Sequence, residues 1–240
     1  MTNTETTTAI TTSYLLSESN FDQYAAEWKV FAGQPGGTPL TDAFFTSNDT
    51  RLLTLTIPLE RIQWLVSAVG VRQIRARFLL MPGSARKQFN LALFATDATG
   101  YRLSAYYLPE QYYAAGTPDT KVYEPIPDDL ASVWQQKWQA AAEITTDMFT
   151  TYTRDTHESA VLEGYNFEIK DFVSVLFETG QNITLGLGLH QYHAPNATSE
   201  EQLTSTFGLV LQAPALGQAA RGAGAARVDF DMAFPCPPGT

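Results

Sequence analysis

A weak internal duplication constrains this chain more than any other feature. Residues 57–95 open with IPLERIQWLVSAVG and run into IRARFLL and QFNLALFA, and residues 167–213 open with FEIKDFVSVLFETG and run into ITLGLGL and TFGLVLQA. At an offset of about 110 positions, Ile57, Leu59, Ile62, Leu65, Val66 and Gly70 fall on Phe167, Ile169, Phe172, Val175, Leu176 and Gly180. The apolar positions and their stop signal recur, so both copies encode one unit of strand, short helix, strand and strand. Each copy alone offers a small apolar face. The two are therefore expected to share a largely antiparallel sheet or a core, in one pseudo-symmetric α+β domain over 21–235.

Local patterns fill in the unit. RLLTLTI (51–57) alternates as a strand does, and Pro58 suits the start of a helix that stops at Gly70. IRARFLL places Ile74, Ala76, Phe78 and Leu80 on one face and Arg75, Arg77 and Leu79 on the other, which reads as core against charge. TDATG supplies turn chemistry between FNLALFA and YRLSAYY, so 89–107 reads as a hairpin. In ITLGLGL, Gly186 and Gly188 share a face and permit close approach of another backbone or a ring. Repeat one thus spans 51–107 and repeat two 165–213, with 108–160 expected as an insertion that carries a helix of Leu130, Val133, Trp134 and Trp138. Upstream, Ser19 and Asn20 offer N-caps to a helix from Phe21 to Gly33. The Thr-rich 1–20 reads as a flexible arm, and 236–240 as a tail.

Charge separates the copies. The first has Arg61, Arg72, Arg75, Arg77, Arg86 and Lys87 against Glu60, and the second has Lys170 against Glu168, Asp171, Glu178, Glu200 and Glu201. Like-shaped, oppositely charged modules attract within or between molecules. The expected partner is therefore a second copy, bound head to tail through Arg72, Arg75, Arg77, Arg86 and Lys87 on one side and Glu168, Asp171 and Glu178 on the other. Rings or filaments follow from such a contact. A net charge of −10 argues against nucleic acid, and no run approaches the roughly 20 apolar residues of a spanning helix, so membrane insertion is not expected. MTNTETTTAITTSYLL lacks basic residues and a long apolar run, which favours a cytoplasmic protein or export without an N-terminal signal.

Other chemistry is thinner. Tyr106, Tyr107, Tyr112, Tyr113, Trp134 and Trp138 form an aromatic segment that could stack on sugar rings or fill an interface, which makes a glycan or small-ligand module the alternative. His190 and His193, with Asp229 and Asp231, are weak metal candidates for a hydrolase, since no HExxH or cysteine set accompanies them. The single cysteine, Cys236, lies between prolines without a neighbouring histidine, which argues against a thiolate nucleophile. No cofactor is implied, and the balance is against an enzyme.

The segment VGVRQIRARFLLMPG and the terminal PCPP resemble a group of uncharacterised bacterial proteins. In that group a short helix leads to a G-x-R-type strand, a paired strand follows, and a Cys-Pro-Pro tail closes the chain. The resemblance implies no activity.

Overall fold

A computed structural model describes residues 14–45, 50–83, 86–113, 121–123, 128–152, 158–179, 182–193, 203–214, 226–230 and 234–235. In chain order the first half holds β1 (Leu15–Leu16), α1 (Glu18–Ala32), a 3-10 turn (Thr41–Phe44), β2 (Leu52–Ile57), α2 (Leu59–Val66), β3 (Gln73–Met81), β4 (Gln88–Thr96), β5 (Tyr106–Tyr107) and β6 (Glu110–Tyr113). The second half holds β7 (Lys121–Tyr123), α3 (Asp128–Ala140), a 3-10 turn (Thr146–Phe149), the hairpin β8 (Thr150–Tyr152) and β9 (Ser159–Val161), then β10 (Gly164–Glu168), α4 (Ile169–Thr179), β11 (Ile183–His193), β12 (Leu203–Pro214), β13 (Ala226–Phe230) and β14 (Phe234–Pro235). These form two six-stranded sheets, β1-β5-β4-β3-β10-β14 and β6-β2-β11-β12-β13-β7, antiparallel except where β13 meets β7. The α+β class with largely antiparallel sheets is as the pattern requires.

The repeats share both sheets by exchanging their first strands. β2 leaves its own repeat to pair with β11, with Ile57 opposite Ile183 and Leu55 opposite Leu185. Reciprocally, β10 pairs with β3, with Phe167 opposite Ile74 and Tyr165 opposite Ala76. Since Ile57 corresponds to Phe167 and Ile74 to Ile183, the two ladders are the same ladder seen twice. β4 and β12 continue the match, Leu80 facing Phe89 as Leu189 faces Phe207. The inner faces of both sheets close on one core that includes Phe78, Phe89, Phe207, Leu55 and Leu185, all essentially inaccessible.

The duplication also reaches further upstream than the apolar pattern suggests. Trp28 of α1 and Trp138 of α3 lie 110 positions apart and are both fully buried. The Trp28 indole N–H donates to Leu162 O at 3.0 Å, and the Trp138 indole N–H donates to Leu52 O at 2.8 Å. Their carbonyl partners are also 110 apart, so each half holds the other through the same bond. Beside them TDAF (41–44) and TDMF (146–149) form matching 3-10 turns, and Phe44 and Phe149 stack at 5.5 Å across the pseudo-two-fold. Trp28 meets Phe149 edge-on at 5.0 Å as Trp138 meets Phe44 at 5.1 Å. The segment 108–160, expected as an insertion, therefore supplies the second half's counterpart of α1 and its turn. Among the described residues, the β8–β9 hairpin is reduced in the first half to a single antiparallel bridge, Phe45 opposite Arg51, which matches Thr150 opposite Val161.

Other local expectations need adjustment. Ser17, rather than Ser19 or Asn20, caps α1, its hydroxyl accepting from the Asn20 N–H at 3.3 Å. Residues 14–20, expected within the arm, are folded into β1 and the start of α1, while 1–13 lie outside the described residues. The outer face of β3 is not simply charged, because α1 lies across it and buries Leu79 with Phe94 and Tyr106, against Phe21 and Tyr24.

Candidate functional site

Several of the charges singled out in the sequence have partners in their own half or across the shared sheet. Arg86 and Lys87 lie near the end of the β3–β4 hairpin and reach back over their own half. Arg86 Nη1 pairs with Asp42 at 2.8 Å and Lys87 Nζ with Glu27 at 2.7 Å. Hydrogen bonds from Lys87 and then Gln23 hold the Glu27 carboxyl below its ordinary pKa. Arg77 donates to Asn166 Oδ1 of β10 at 3.1 Å, and the Arg75 guanidinium folds over the turn at Gly100. Arg72 is tied in by its backbone, donating to Thr96 O and accepting from the Ile169 N–H. On the acidic side, Glu168 pairs with Lys170 at 2.7 Å. Asp171, expected on an acidic contact face, is instead buried at 3% exposure, and that burial pushes its carboxyl pKa up. The side chain of Glu178 lies outside the described residues.

The two halves diverge most usefully where they meet solvent. Between α1, the first 3-10 turn and the β3–β4 hairpin lies an open cleft of about 600 Å³. Ala26, Val30, Phe31, Ala43 and Leu80 line it, and the Glu27–Lys87 and Asp42–Arg86 pairs stand among its walls. Val30 is 73% exposed. The places of Val30 and Phe31 are taken by Ala140, the last residue of α3, and by Ala141 just after it. Conversely, α3 exposes Leu130 and Val133 at 40% and 39%, one helical turn apart, where α1 carries the polar Asn20 and Gln23. Among the described residues, exposed apolar surface is thus gained at one end of α1 in the first half and at the start of α3 in the second.

The expected aromatic platform is divided. Tyr106 stacks on Phe21 at 3.9 Å and is buried, Trp138 is in the core, and Trp134 stacks on His190 at 3.7 Å. The side chains of Tyr112 and Tyr113 lie outside the described residues. Tyr107 alone of the remainder reaches an open cleft, of about 430 Å³, where it joins two aromatics that sequence reasoning missed. Tyr14 lies 5.9 Å from Trp64, and Trp64 lies 5.5 Å from Tyr107, each pair inclined by 31°. The signal available in the sequence was Trp64 itself, a tryptophan at a helix position where the second copy has Ser174.

Under α3 the glycine stripe does what its spacing allows. A Cβ on Gly188 would lie 3.1 Å from Trp134 Cβ, and one on Gly186 would lie 2.1 Å from Gln135 Nε2. The first half has Leu79 beneath Tyr24 in place of Gly188 beneath Trp134, so a larger ring over a missing side chain replaces a smaller ring over a leucine. Gln135, Gln212 and His190 gather here, and His190 Nε2, Gln135 Nε2 and both Gln212 amide atoms are buried without a hydrogen-bond partner. Their counterparts are Ala25, Phe94 and Met81. Burial lowers the His190 pKa to about 4, so its imidazole is neutral at pH 7. Among the described residues no three metal-ligating side chains converge. The side chains of His193 and Asp229, and all of Asp231 and Cys236, lie outside that set.

Among the described residues no helix is long and apolar enough to cross a membrane. Compared with known protein families, curated proteins and solved structures, the chain shows no match.

Proposed function

We propose that the protein is a non-enzymatic structural protein that associates head to tail, the α3 ridge of one copy entering the α1 cleft of the next. The carrying observation is the complementary divergence of two otherwise matched halves. Val30 and Phe31 enlarge the apolar surface of the first half where the second has alanines, and Leu130 and Val133 add apolar surface to the second half where the first has amides. Exposed positions ordinarily carry polar residues, so apolar residues gained at exposed positions in both halves favour a contact there. Cleft and ridge are different patches on different halves, which makes the contact heterologous and lets it propagate into a ring or filament. Because Arg86 and Lys87 already have partners in their own chain, charge orients the approach more than it holds the complex. One helix face in one cleft is small beside the roughly 1,000 Å² of a stable interface, so the association is expected to depend strongly on concentration.

The test is a mixing experiment read by light scattering and negative-stain microscopy. Val30→Asp removes the cleft, and Leu130→Asp with Val133→Asp removes the ridge. Each variant alone is expected to stay monomeric at concentrations where the unaltered chain assembles, and an equimolar mixture is expected to stop at dimers, since only one productive contact survives. Raising salt to about 1 M should leave an apolar contact intact, whereas a charge-only contact would dissolve. A chain that stays monomeric at millimolar concentration, or variants that assemble like the parent, would sink the proposal.

A further inference from the structure

The open cleft at the edge of the first sheet is lined by Tyr14, Leu15, Trp64, Ser67, Ala105 and Tyr107. None of these six carries a formal charge, and three are aromatic. The geometry points to this cleft as a binding site for a neutral saccharide, whose C–H face stacks on the Tyr14–Trp64–Tyr107 wall and whose hydroxyls reach its polar edge.

Four observations select that ligand class. First, the repeat itself does not require a tryptophan at position 64. Trp28 and Trp138 are a matched core pair and Trp134 replaces Tyr24 under the same helix face, but Trp64 stands where the second half has Ser174 in an equivalent helix. A partly exposed indole at such a place is surface available for recognition. Second, both ring pairs are inclined by 31°, so the lining offers no pair of parallel rings between which a flat aromatic would gain most, whereas a ligand with an apolar face and hydroxylated edges needs only ring surface beside an open cleft. Third, the Arg61 guanidinium already lies 4.9 Å from the Tyr14 ring centroid, so a quaternary ammonium would meet a fixed positive charge at one end of the wall. Fourth, polar capacity is present without charge. Ser67 Oγ donates to Trp64 O at 3.2 Å and keeps its lone pairs for a ligand hydroxyl. Burial, and then the neighbouring Tyr14, raise the Tyr107 pKa, so that hydroxyl remains a neutral donor.

The site is independent of the association contact and can be tested in the presence or absence of assembly. Tryptophan fluorescence and calorimetry on the full chain would be followed during titration with cellotetraose, maltotetraose and chitotetraose, with tetramethylammonium and indole as competing chemistries. Trp64→Ser installs the residue that the second half tolerates at this position, so folding is expected to survive, as melting temperature would verify. Trp64→Phe keeps a smaller aromatic face. The expected result is saturable binding of at least one sugar, weakened roughly tenfold or more by Trp64→Ser and less by Trp64→Phe. The inference is overturned if none of the three sugars binds at about 10 mM, if the folded Trp64→Ser protein binds as the parent does, or if only tetramethylammonium or indole binds.

Discussion

At the scale of single residues, the pseudo-symmetry acts as an internal control. Trp28 and Trp138 each bury an indole and satisfy its N–H on the opposite half, which is why both are fully enclosed without an unpaired donor. Where counterparts differ, the difference needs its own cause. His190 replaces the place of Met81, and its imidazole lies against Trp134 with Nε2 unpartnered. Its folded pKa, about 4, is below the ordinary 6.5, so between those values the unfolded chain binds the extra proton. Stability should therefore be unaffected by His190 above pH 6.5, fall as pH drops toward 4, and lose up to about 3 kcal/mol in all. His190→Met should flatten that part of a urea-denaturation series taken from pH 7 to pH 4, and an unchanged slope would refute the assignment. The sequence displayed His190 as a ligand candidate because a histidine near a strand end looks alike whether it faces water or a helix. Only tertiary packing places α3 over it.

At the scale of elements, alternation and stop signals made β2, α2, β3 and β4 readable, as did their copies, since period and punctuation are local properties. The exchange of β2 and β10 was not readable. An alternating strand presents the same pattern to its own repeat as to the other one, and the choice rests on where α2 and α4 send the chain. The correspondence of α1 with α3 was hidden by spacing. Trp28 precedes its TDAF turn by five residues more than Trp138 precedes TDMF, so the offset changes from 110 to 105 within the unit. The exchanged ladders also share a rung that requires glycine. Gly164 faces Arg77 and Gly186 faces Thr54, equivalent rungs with the glycine on opposite strands. Gly164 has φ +151, and a Cβ there would lie 2.0 Å from Ala76 O, a backbone atom that cannot rotate away. Gly164→Ala is expected to cost more than about 3 kcal/mol in urea denaturation, whereas Thr54→Ala, on the corresponding strand, should cost less than about 1. Similar costs for the two would remove the steric argument.

At the scale of the molecule, the chain is a fused pair in which each half completes the other's sheet. Charges were legible as a contrast between copies but not as contacts, because Lys87 and Arg86 meet Glu27 and Asp42 only once α1 and the 3-10 turn after it lie against the hairpin. With a β2–β11 ladder in one sheet and a β3–β10 ladder in the other joining the halves, and one shared core beneath them, unfolding should proceed in one transition. Tryptophan emission and far-ultraviolet dichroism are expected to give coincident urea curves, and two separated transitions would mean that a half stands alone. Strand exchange also sets a schedule for synthesis. β2 leaves the ribosome long before the strand it pairs with, since Ile183 lies 126 residues after Ile57. At ordinary elongation rates that interval lasts roughly 6–25 s, during which LLTLTI has no native neighbour on that edge. The nascent first half therefore waits with an apolar strand edge open, and that edge is where premature pairing with another chain would start.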